Sequence, residues 1–235
     1  MEVQILEDLD AMFESDTIKP TFIHAHILLS LLIFENHPQG IGRYRLKEEL
    51  LIGMGTARSL ITRLKDKVNF IKVSGGKDQN DQPKNRLGHI LTEKGIKYLE
   101  RVKKKIPLLK RGDLNILKEI IIEAERNYPY ICVVKQGDSK IKYGMEQRDA
   151  AIKVNGSGAT CLVFNGSHFV FPASTGVKNQ DLKEKANKII EDYFKNLILS
   201  VNNTLEKGDV FIIGLGDDPN KARLASLNAA LTLIR

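Results

Sequence analysis

Residues 53–66, with the sequence GMGTARSLITRLKD, combine side chains that can contact DNA with a pattern that predicts a helix. At about 100° per residue, one face carries the apolar residues and is expected to be buried: Ala57, Leu60, Ile61, Leu64 and Val68. Arginine can pair with guanine edges, while hydroxyl groups and lysine hold the DNA backbone. Side chains of these types lie off the apolar face: Arg58, Ser59, Thr62, Arg63 and Lys65. We predict Thr56 as the N-cap of this helix.

Further basic side chains occur in neighbouring segments, which can flank the DNA groove that the helix would enter. Arg43 and Arg45 precede a scaffold helix, Lys77 and Lys84 lie in a polar loop, and Arg86 opens the strand after that loop. Each cation that neutralises a phosphate releases counterions, so DNA binding should weaken steeply with salt. The alternatives are a solvated surface helix in a basic protein, an RNA-binding winged helix, or one that binds only protein.

The distribution of charge supports a polyanionic partner for one part of the chain. The net charge is +7, from 36 Lys and Arg against 29 Asp and Glu, and the pI is about 9.3. Residues 40–111 carry nineteen Lys and Arg against seven Asp and Glu, whereas residues 1–39 carry one Lys against seven acids. The basic excess therefore belongs to the segment that contains the candidate helix.

The elements around this helix follow the order of a winged helix-turn-helix domain. A short amphipathic helix is expected in residues 1–15 and a strongly apolar one in residues 21–36. Alternating residues at 70–73 and 86–91 predict a hairpin, which would be the wing. Thr92 is the predicted N-cap of a closing helix with the sequence LTEKGIKYLERVKKK.

The second half changes to alternating strands and helices. From Tyr130 the pattern predicts the order β-α-β-β-α-β-α, an α/β sandwich compatible with ferredoxin-like topology. The fold class is therefore α+β. Between the halves, an apolar stripe in residues 107–128 predicts a helix that joins the domains, pairs two subunits, or packs on the second domain.

Two candidate ligand sites occur in this second half, and the first begins at the helix containing Arg148. Arg148 can clamp a carboxylate or phosphate, and the Gly-rich turn after the helix can offer N–H groups. The candidate residues are Arg148, Asp149, Asn155, Ser157 and Thr160. The alternative is a helix C-cap followed by a tight turn, with Arg148 in a surface ion pair.

The second candidate is GLGDDPNKA, residues 214–222, where a strand leads through two glycines to a helix. Such a junction can present amides to an anion, but it lacks both the full G-x-G-x-x-G motif and a P-loop ending. Asp217 and Asp218 disfavour a phosphate, and we expect them to receive a ligand's hydroxyl, amine or base edge, or Mg²⁺. The alternative is Asp218 as an N-cap with Pro219 at the first helical position.

Catalysis, cofactors and membrane insertion find little support in the sequence. The five histidines are scattered and no Cys/His cluster has zinc spacing. Cys132 and Cys161 lie in apolar strands and are expected to be buried and reduced, as in the cytoplasm. The acidic start is unlike a signal peptide, and no apolar run approaches the roughly 18 to 20 residues of a membrane span.

Longer segments resemble a known family. The sequences IGRYRLKEELLIGMGTARSLITRLKD and RLGHILTEKGIKYLERV resemble archaeal winged-helix transcriptional regulators, which have I-G-R-x-x-L and L-T-x-K-G motifs. The segments QRDAAIKVNGSGATCLVF and GDVFIIGLGDDPNKARLASLNAAL resemble the uncharacterised C-terminal domain of such regulators. The resemblance implies a recognition helix carrying Thr56, Arg58, Ser59, Thr62 and Arg63.

These observations predict a cytoplasmic transcriptional regulator that binds double-stranded DNA as a homodimer, without a cofactor. The predicted parts are an N-terminal helix at 1–19 as a possible dimer contact, a winged helix-turn-helix at 20–106, a linker helix at 107–128, and an α/β domain at 129–235 for a small-molecule effector or assembly. An enzyme acting on a phosphorylated or vitamin-like metabolite, or a protein-interaction adaptor, are the alternatives.

Overall fold

Two units of different architecture make up the chain, Met1–Val102 (unit 1) and Lys103–Arg235 (unit 2). The computed structural model describes residues 5–15, 19–75, 88–121, 123–172 and 185–234. Unit 1 consists mainly of helices with one hairpin, and unit 2 contains a five-stranded antiparallel sheet with helices. The predicted α+β class with two domains is confirmed.

Unit 1 follows the predicted order of helices and strands. Its helices are the 3₁₀ helix Glu7–Met12, α1 (His24–Glu35), α2 (Arg43–Leu50), α3 (Met54–Asp66) and α4 (Glu93–Lys105), which continues past Val102. Strands β1 (Ile71–Val73) and β2 (His89–Leu91) pair antiparallel, with Lys72 opposite Ile90. Ile41 forms an additional antiparallel bridge with His89, which ties this hairpin to the chain before α2.

Helix α1 forms the centre of unit 1 because nearly all of its side chains are apolar and buried. At its start the Nδ1 atom of His26 accepts a hydrogen bond from the Ile23 N–H (3.1 Å), so this histidine caps the helix. Burial lowers the pKa of His26 from 6.5 to about 4. In the described residues no helix has both the length and the apolar character needed to cross a membrane.

Helix α4 packs closely on the hairpin, and this explains part of the L-T-x-K-G motif. The predicted N-cap is confirmed, since Thr92 Oγ1 accepts the Gly95 N–H (3.1 Å). The Thr92 hydroxyl also donates to the Asn69 carbonyl (2.7 Å). A Cβ at Gly95 would lie 2.2 Å from the carbonyl oxygen of Phe70, so only glycine allows the helix to approach this closely.

Unit 2 has the predicted order β-α-β-β-α-β-α from β4 onward. Its strands are β3 (Leu108–Arg111), β4 (Tyr128–Val134), β5 (Gly158–Phe164), β6 (Phe169–Val170) and β7 (Val210–Gly216). Its helices are α5 (Leu114–Leu117), α6 (Met145–Ile152), α7 (Lys188–Leu199) and α8 (Pro219–Leu231). An aromatic cluster of Phe169, Phe194 and Phe211 joins α7 to one face of the sheet.

The ferredoxin-like topology suggested by the order of elements is wrong. A ferredoxin-like sheet has its first strand between its third and fourth. Here the strand order is β3-β4-β7-β5-β6, so the first predicted strand, β4, lies between β3 and the fourth, β7. All neighbouring strands are antiparallel. The last strand, β7, therefore lies between β4 and β5. Its run VFIIGLG is buried at every position, so a central place in the sheet suits it.

The single linker helix predicted at residues 107–128 is also wrong. Residues 108–111 form β3 at the edge of the sheet, and Asp113 then caps the four-residue α5 by accepting the Asn115 N–H (2.9 Å). A left-handed residue, Glu123 (φ 52°), interrupts helical continuation. The apolar stripe packs within unit 2, with Leu117 and Ile121 in its core, which agrees with the third of the predicted alternatives.

The buried His26 predicts a loss of stability in acid. Its pKa is lower in the folded than in the unfolded chain, so its stabilising effect is full above pH 6.5 and is lost as pH falls towards 4. Relative to a His26→Gln variant, the wild type should lose about 3 kcal/mol of unfolding free energy between pH 7 and 4. Urea unfolding at several pH values measures this loss, and an imidazole NMR titration midpoint near 6.5 would contradict it.

Candidate functional site

Helix α3 presents a polar side to solvent because its apolar side is fixed in the core of unit 1. Ala57, Leu60 and Leu64 are fully buried, as the periodicity predicts. Between α2 and α3, Leu51 adopts a left-handed conformation (φ 56°) that ends α2 and redirects the chain. A short turn thus holds α3 against α2 as a helix-turn-helix pair.

Three of the predicted side chains form the outer face of α3, which we define as Arg58, Thr62 and Lys65. All three are exposed, and their spacing of four and three residues places them on one side of the helix. Lys65 pairs with the neighbouring Asp66 (3.3 Å). Within the described parts of the chain Arg58 has no ion pair, and Ser59 beside it is half-buried.

The prediction that Thr56 caps α3 is wrong. The helix begins at Met54 because Gly53 already adopts the extended conformation of an N-cap (φ −69°, ψ 158°). Thr56 lies in the first turn instead, where its hydroxyl hydrogen-bonds that of Thr21 (2.7 Å). Among the residues that the structure describes, no side chain caps the first N–H groups of α3.

Arg63 differs from the outer-face residues because the N-terminal segment holds its guanidinium group. Its Nη1 donates to the carbonyl oxygens of Met12 (3.0 Å) and Glu14 (2.7 Å). Lys67, one turn further along, donates to the same Glu14 oxygen (2.8 Å). These acceptors end or follow a 3₁₀ helix, where carbonyls lack partners within the helix. Arg63 therefore ties α3 to the beginning of the chain, and the geometry gives it a structural role.

Residues 5–15, here called the N-terminal strap, are anchored at a second place in unit 1. The Tyr98 hydroxyl donates to the Ile5 carbonyl (2.8 Å), and Arg101 pairs with Asp8 (2.5 Å). Ile5, Leu9 and Met12 are buried. Because the apolar side of the strap is used inside unit 1, the exposed side chains that remain for the predicted dimer contact are mostly acidic. Its sequence pattern gave no indication of these partners.

The predicted basic residues before α3 lie at the start of α2. Arg43 and Arg45 occupy its first turn rather than preceding it, because Gly42 is the N-cap. The Arg43 guanidinium lies 5.4 Å from the centre of the Tyr44 ring, and Arg45 pairs with Glu49 (3.4 Å). In the described part of the chain no side chain caps this end of α2, so its exposed cations lie beside N–H groups without a side-chain partner there.

The hairpin contributes one residue that the sequence did not single out. Burial, and secondly the charge of Lys65, lower the pKa of His89 in β2. Lys65 therefore lies close enough to the hairpin for their charges to interact. Among the described residues the Nδ1 atom of His89 has no hydrogen-bond partner. The predicted wing residues Lys77, Lys84 and Arg86 lie outside the described residues.

The first predicted ligand site in unit 2 is occupied by internal contacts. Arg148 pairs with Asp149 beside it (2.9 Å). In the turn, Asn155 is left-handed (φ 63°), the Gly156 N–H donates to Ala151 and the Ser157 N–H donates to the Leu215 carbonyl (2.8 Å). The Thr160 hydroxyl donates to the Ile120 carbonyl (3.3 Å). These hydrogen bonds favour the alternative of a structural turn with a surface ion pair.

The second predicted ligand site is divided between a cap and an exposed carboxylate. Asp218 caps α8 by accepting the N–H groups of Asn220 (2.8 Å) and Lys221 (3.3 Å), with Pro219 at the first helical position, as the alternative predicted. Asp217 is exposed and pairs with Lys221 (2.9 Å). The hydrogen bond from Lys221 lowers the pKa of Asp217, so this carboxylate is ionised near neutral pH.

The remaining candidates for chemistry are buried or dispersed. Cys132 and Cys161 are buried free thiols, and burial raises the pKa of both. In the described ranges, no group of three or more His, Cys, Asp and Glu side chains is arranged to hold a metal ion. The exposed groups of the outer face of α3 are therefore the clearest candidate interface in unit 1.

The hydrogen bonds from Arg63 to the N-terminal strap predict that replacing Arg63 will make the strap less stable. Arg63→Ala leaves the Met12 carbonyl without its charged donor and the Glu14 carbonyl with Lys67 alone, which should cost about 1–3 kcal/mol of stability. Hydrogen exchange in residues 5–15 should accelerate accordingly. Arg58→Ala is the matched control, since it removes the same charge from an exposed position of the same helix. Equal exchange rates in the two variants would contradict this role.

Comparisons with known proteins support the layout of the chain. Residues 126–233 match a family model described as a domain of unknown function (DUF4443). No curated protein matches the chain. A solved structure, hypothetical protein PH0730 from Pyrococcus horikoshii OT3, resembles it with a TM-score of 0.58 and 20% identity, over 90% of this chain and 93% of that chain. At this identity the likeness concerns the fold alone. Together, the two matches fit a protein with a two-domain layout.

Proposed function

We propose that this protein is a sequence-specific DNA-binding transcriptional regulator that acts as a homodimer, with unit 2 sensing a small ligand or mediating assembly. The supporting observation is the outer face of α3. Arg58, Thr62 and Lys65 are exposed on one side of a helix whose other side is buried. A guanidinium and a hydroxyl one helical turn apart can address neighbouring base edges, while a lysine holds a phosphate.

Features next to α3 supply the contacts that fix such a helix on DNA. The first turn of α2 carries Arg43 and Arg45 beside its open N–H groups, which suit phosphate oxygens. The charge of Lys65 lowers the pKa of His89, so the hairpin lies near the outer face. Residues 40–111 carry the basic excess of the chain. Attraction to phosphates accounts for general affinity, and Arg58 and Thr62 are left to provide sequence selectivity.

The proposal predicts a selective effect of the outer-face residues on DNA binding. With a DNA fragment from upstream of the protein's own gene, Arg58→Ala should weaken binding by about 10- to 100-fold, because a bidentate base contact is lost. Lys65→Ala should weaken binding to all fragments and reduce the salt dependence by about one ion. Fluorescence anisotropy over a series of salt concentrations measures both effects.

The matched control is Arg148→Ala, which removes one charge from an exposed ion pair in unit 2. It should bind the fragment like the wild type. If Arg58→Ala and Arg148→Ala bind equally well, the outer face does not read DNA, and a protein-binding adaptor becomes the better description. Binding that does not respond to salt would point in the same direction.

A further inference from the structure

Unit 2 contains an open cleft of about 600 Å³ at one edge of its sheet. The edge is formed where β3 ends, β4 begins and β7 ends, since Arg111 lies opposite Tyr130 and Tyr128 lies opposite Gly216. Its volume is within the range of small-molecule sites, about 300–1,000 Å³. Both positively and negatively charged side chains line the cleft, so it can bind a ligand that carries both charges.

Two arginines line the cleft, Arg111 and Arg126. The Arg111 guanidinium lies 5.3 Å from the centre of the Tyr128 ring, a cation–π contact that orients the side chain. Neither arginine has an ion pair within the described ranges, so their N–H groups remain available. A guanidinium fork matches the two oxygens of a carboxylate.

Three carboxylates line the same cleft, Asp113, Glu125 and Asp217. Glu125 has no ion pair in the described part of the chain. Asp113 accepts the Asn115 N–H with Oδ1, which leaves Oδ2 for another donor. Asp217 lines the cleft while paired with Lys221 (2.9 Å). These carboxylates can receive the N–H groups of an ammonium ion.

Hydrogen bonds hold the two sides of the cleft in place. The buried Asn127 donates from Nδ2 to the Glu123 carbonyl (3.1 Å), which fixes the turn carrying Glu125 and Arg126. On the opposite side, the Tyr193 hydroxyl accepts the Asp113 N–H (2.9 Å). The Gly112 N–H donates to the Pro129 carbonyl (2.9 Å) and joins the two walls. The backbone segments that carry the charged side chains are thus fixed before a ligand arrives.

We propose that this cleft binds a small zwitterion of the α-amino acid type, with its carboxylate on Arg111 and Arg126 and its ammonium on Asp113 and Glu125. Three carboxylates disfavour a polyphosphate, and two guanidinium groups disfavour a simple cation. A ligand that carries both charges can pair with the arginines and with the carboxylates. The regulatory role of this ligand rests on the proposed function, because the ligand would be the small molecule that unit 2 senses. Binding of the ligand to the cleft does not depend on that function.

The first test measures binding without DNA. The full chain is heated with each protein-forming L-α-amino acid, and at least one should raise the Tm by about 5 °C at roughly 100 times its Kd. The N-acetyl and carboxamide forms of that amino acid each lack one charge and should bind at least about 10-fold more weakly in calorimetry. The absence of any Tm shift, or equal binding of an uncharged form, overturns the proposal.

Variants then test which side chains of the cleft bind each charged group of the ligand. The double variants Arg111→Gln/Arg126→Gln and Asp113→Asn/Glu125→Gln should each weaken binding by about 10- to 100-fold, and asparagine preserves the cap of α5. Arg148→Gln, outside the cleft, should bind like the wild type. Unchanged affinity in both double variants contradicts the assignment.

DNA binding separates this inference from the proposed function. An amino acid that binds the cleft but leaves DNA affinity unchanged supports the site and removes its regulatory meaning. Arg58→Ala should retain the amino acid's Tm shift whether or not the protein binds DNA. A loss of that shift in Arg58→Ala would contradict the location of the site in unit 2.

Discussion

Unit 2 depends on the close approach of helix α8 to strand β7. A Cβ at Gly214 would lie 2.3 Å from the backbone nitrogen of Ser226, and one at Gly216 would lie 2.7 Å from that of Ala222. The Ser226 hydroxyl donates to the Ile212 carbonyl (3.1 Å) at the same contact. This approach covers one face of β7, while the aromatic cluster with α7 covers the other. The strand is therefore buried throughout and takes the centre of the sheet, and its end fixes where the cleft forms.

In unit 1 the cations of one helix are divided between two tasks. Arg63 and Lys67 satisfy carbonyl oxygens of the N-terminal strap, while Arg58 and Lys65 remain exposed. A cation that already serves two carbonyl acceptors is less available to a phosphate, because its donors and its position are committed. The basic charge of a helix therefore overstates the number of contacts that it can make with DNA.

Local patterns predicted local structure well, but they did not predict partners that are distant in sequence. The buried face of α3, the cap at Thr92 and the order of elements in unit 2 follow from spacing and residue type. The partners of Arg63 lie about fifty residues away, and nothing in its neighbourhood distinguishes it from Arg58. The position of β7 likewise depends on packing against two other layers. The sequence did not indicate the arginines of the cleft, because its lining comes from turns and strand ends that lie together only in the folded sheet.

The strap also affects the order in which the chain can fold. Its anchor at Tyr98 joins residues separated by 93 positions, as does its ion pair between Arg101 and Asp8. Contacts of such long range form slowly because a large loop must close first. During synthesis the strap leaves the ribosome before α3 and α4, and its anchor at Tyr98 cannot form until α4 has followed. The strap is consequently among the last parts of unit 1 to reach its final position.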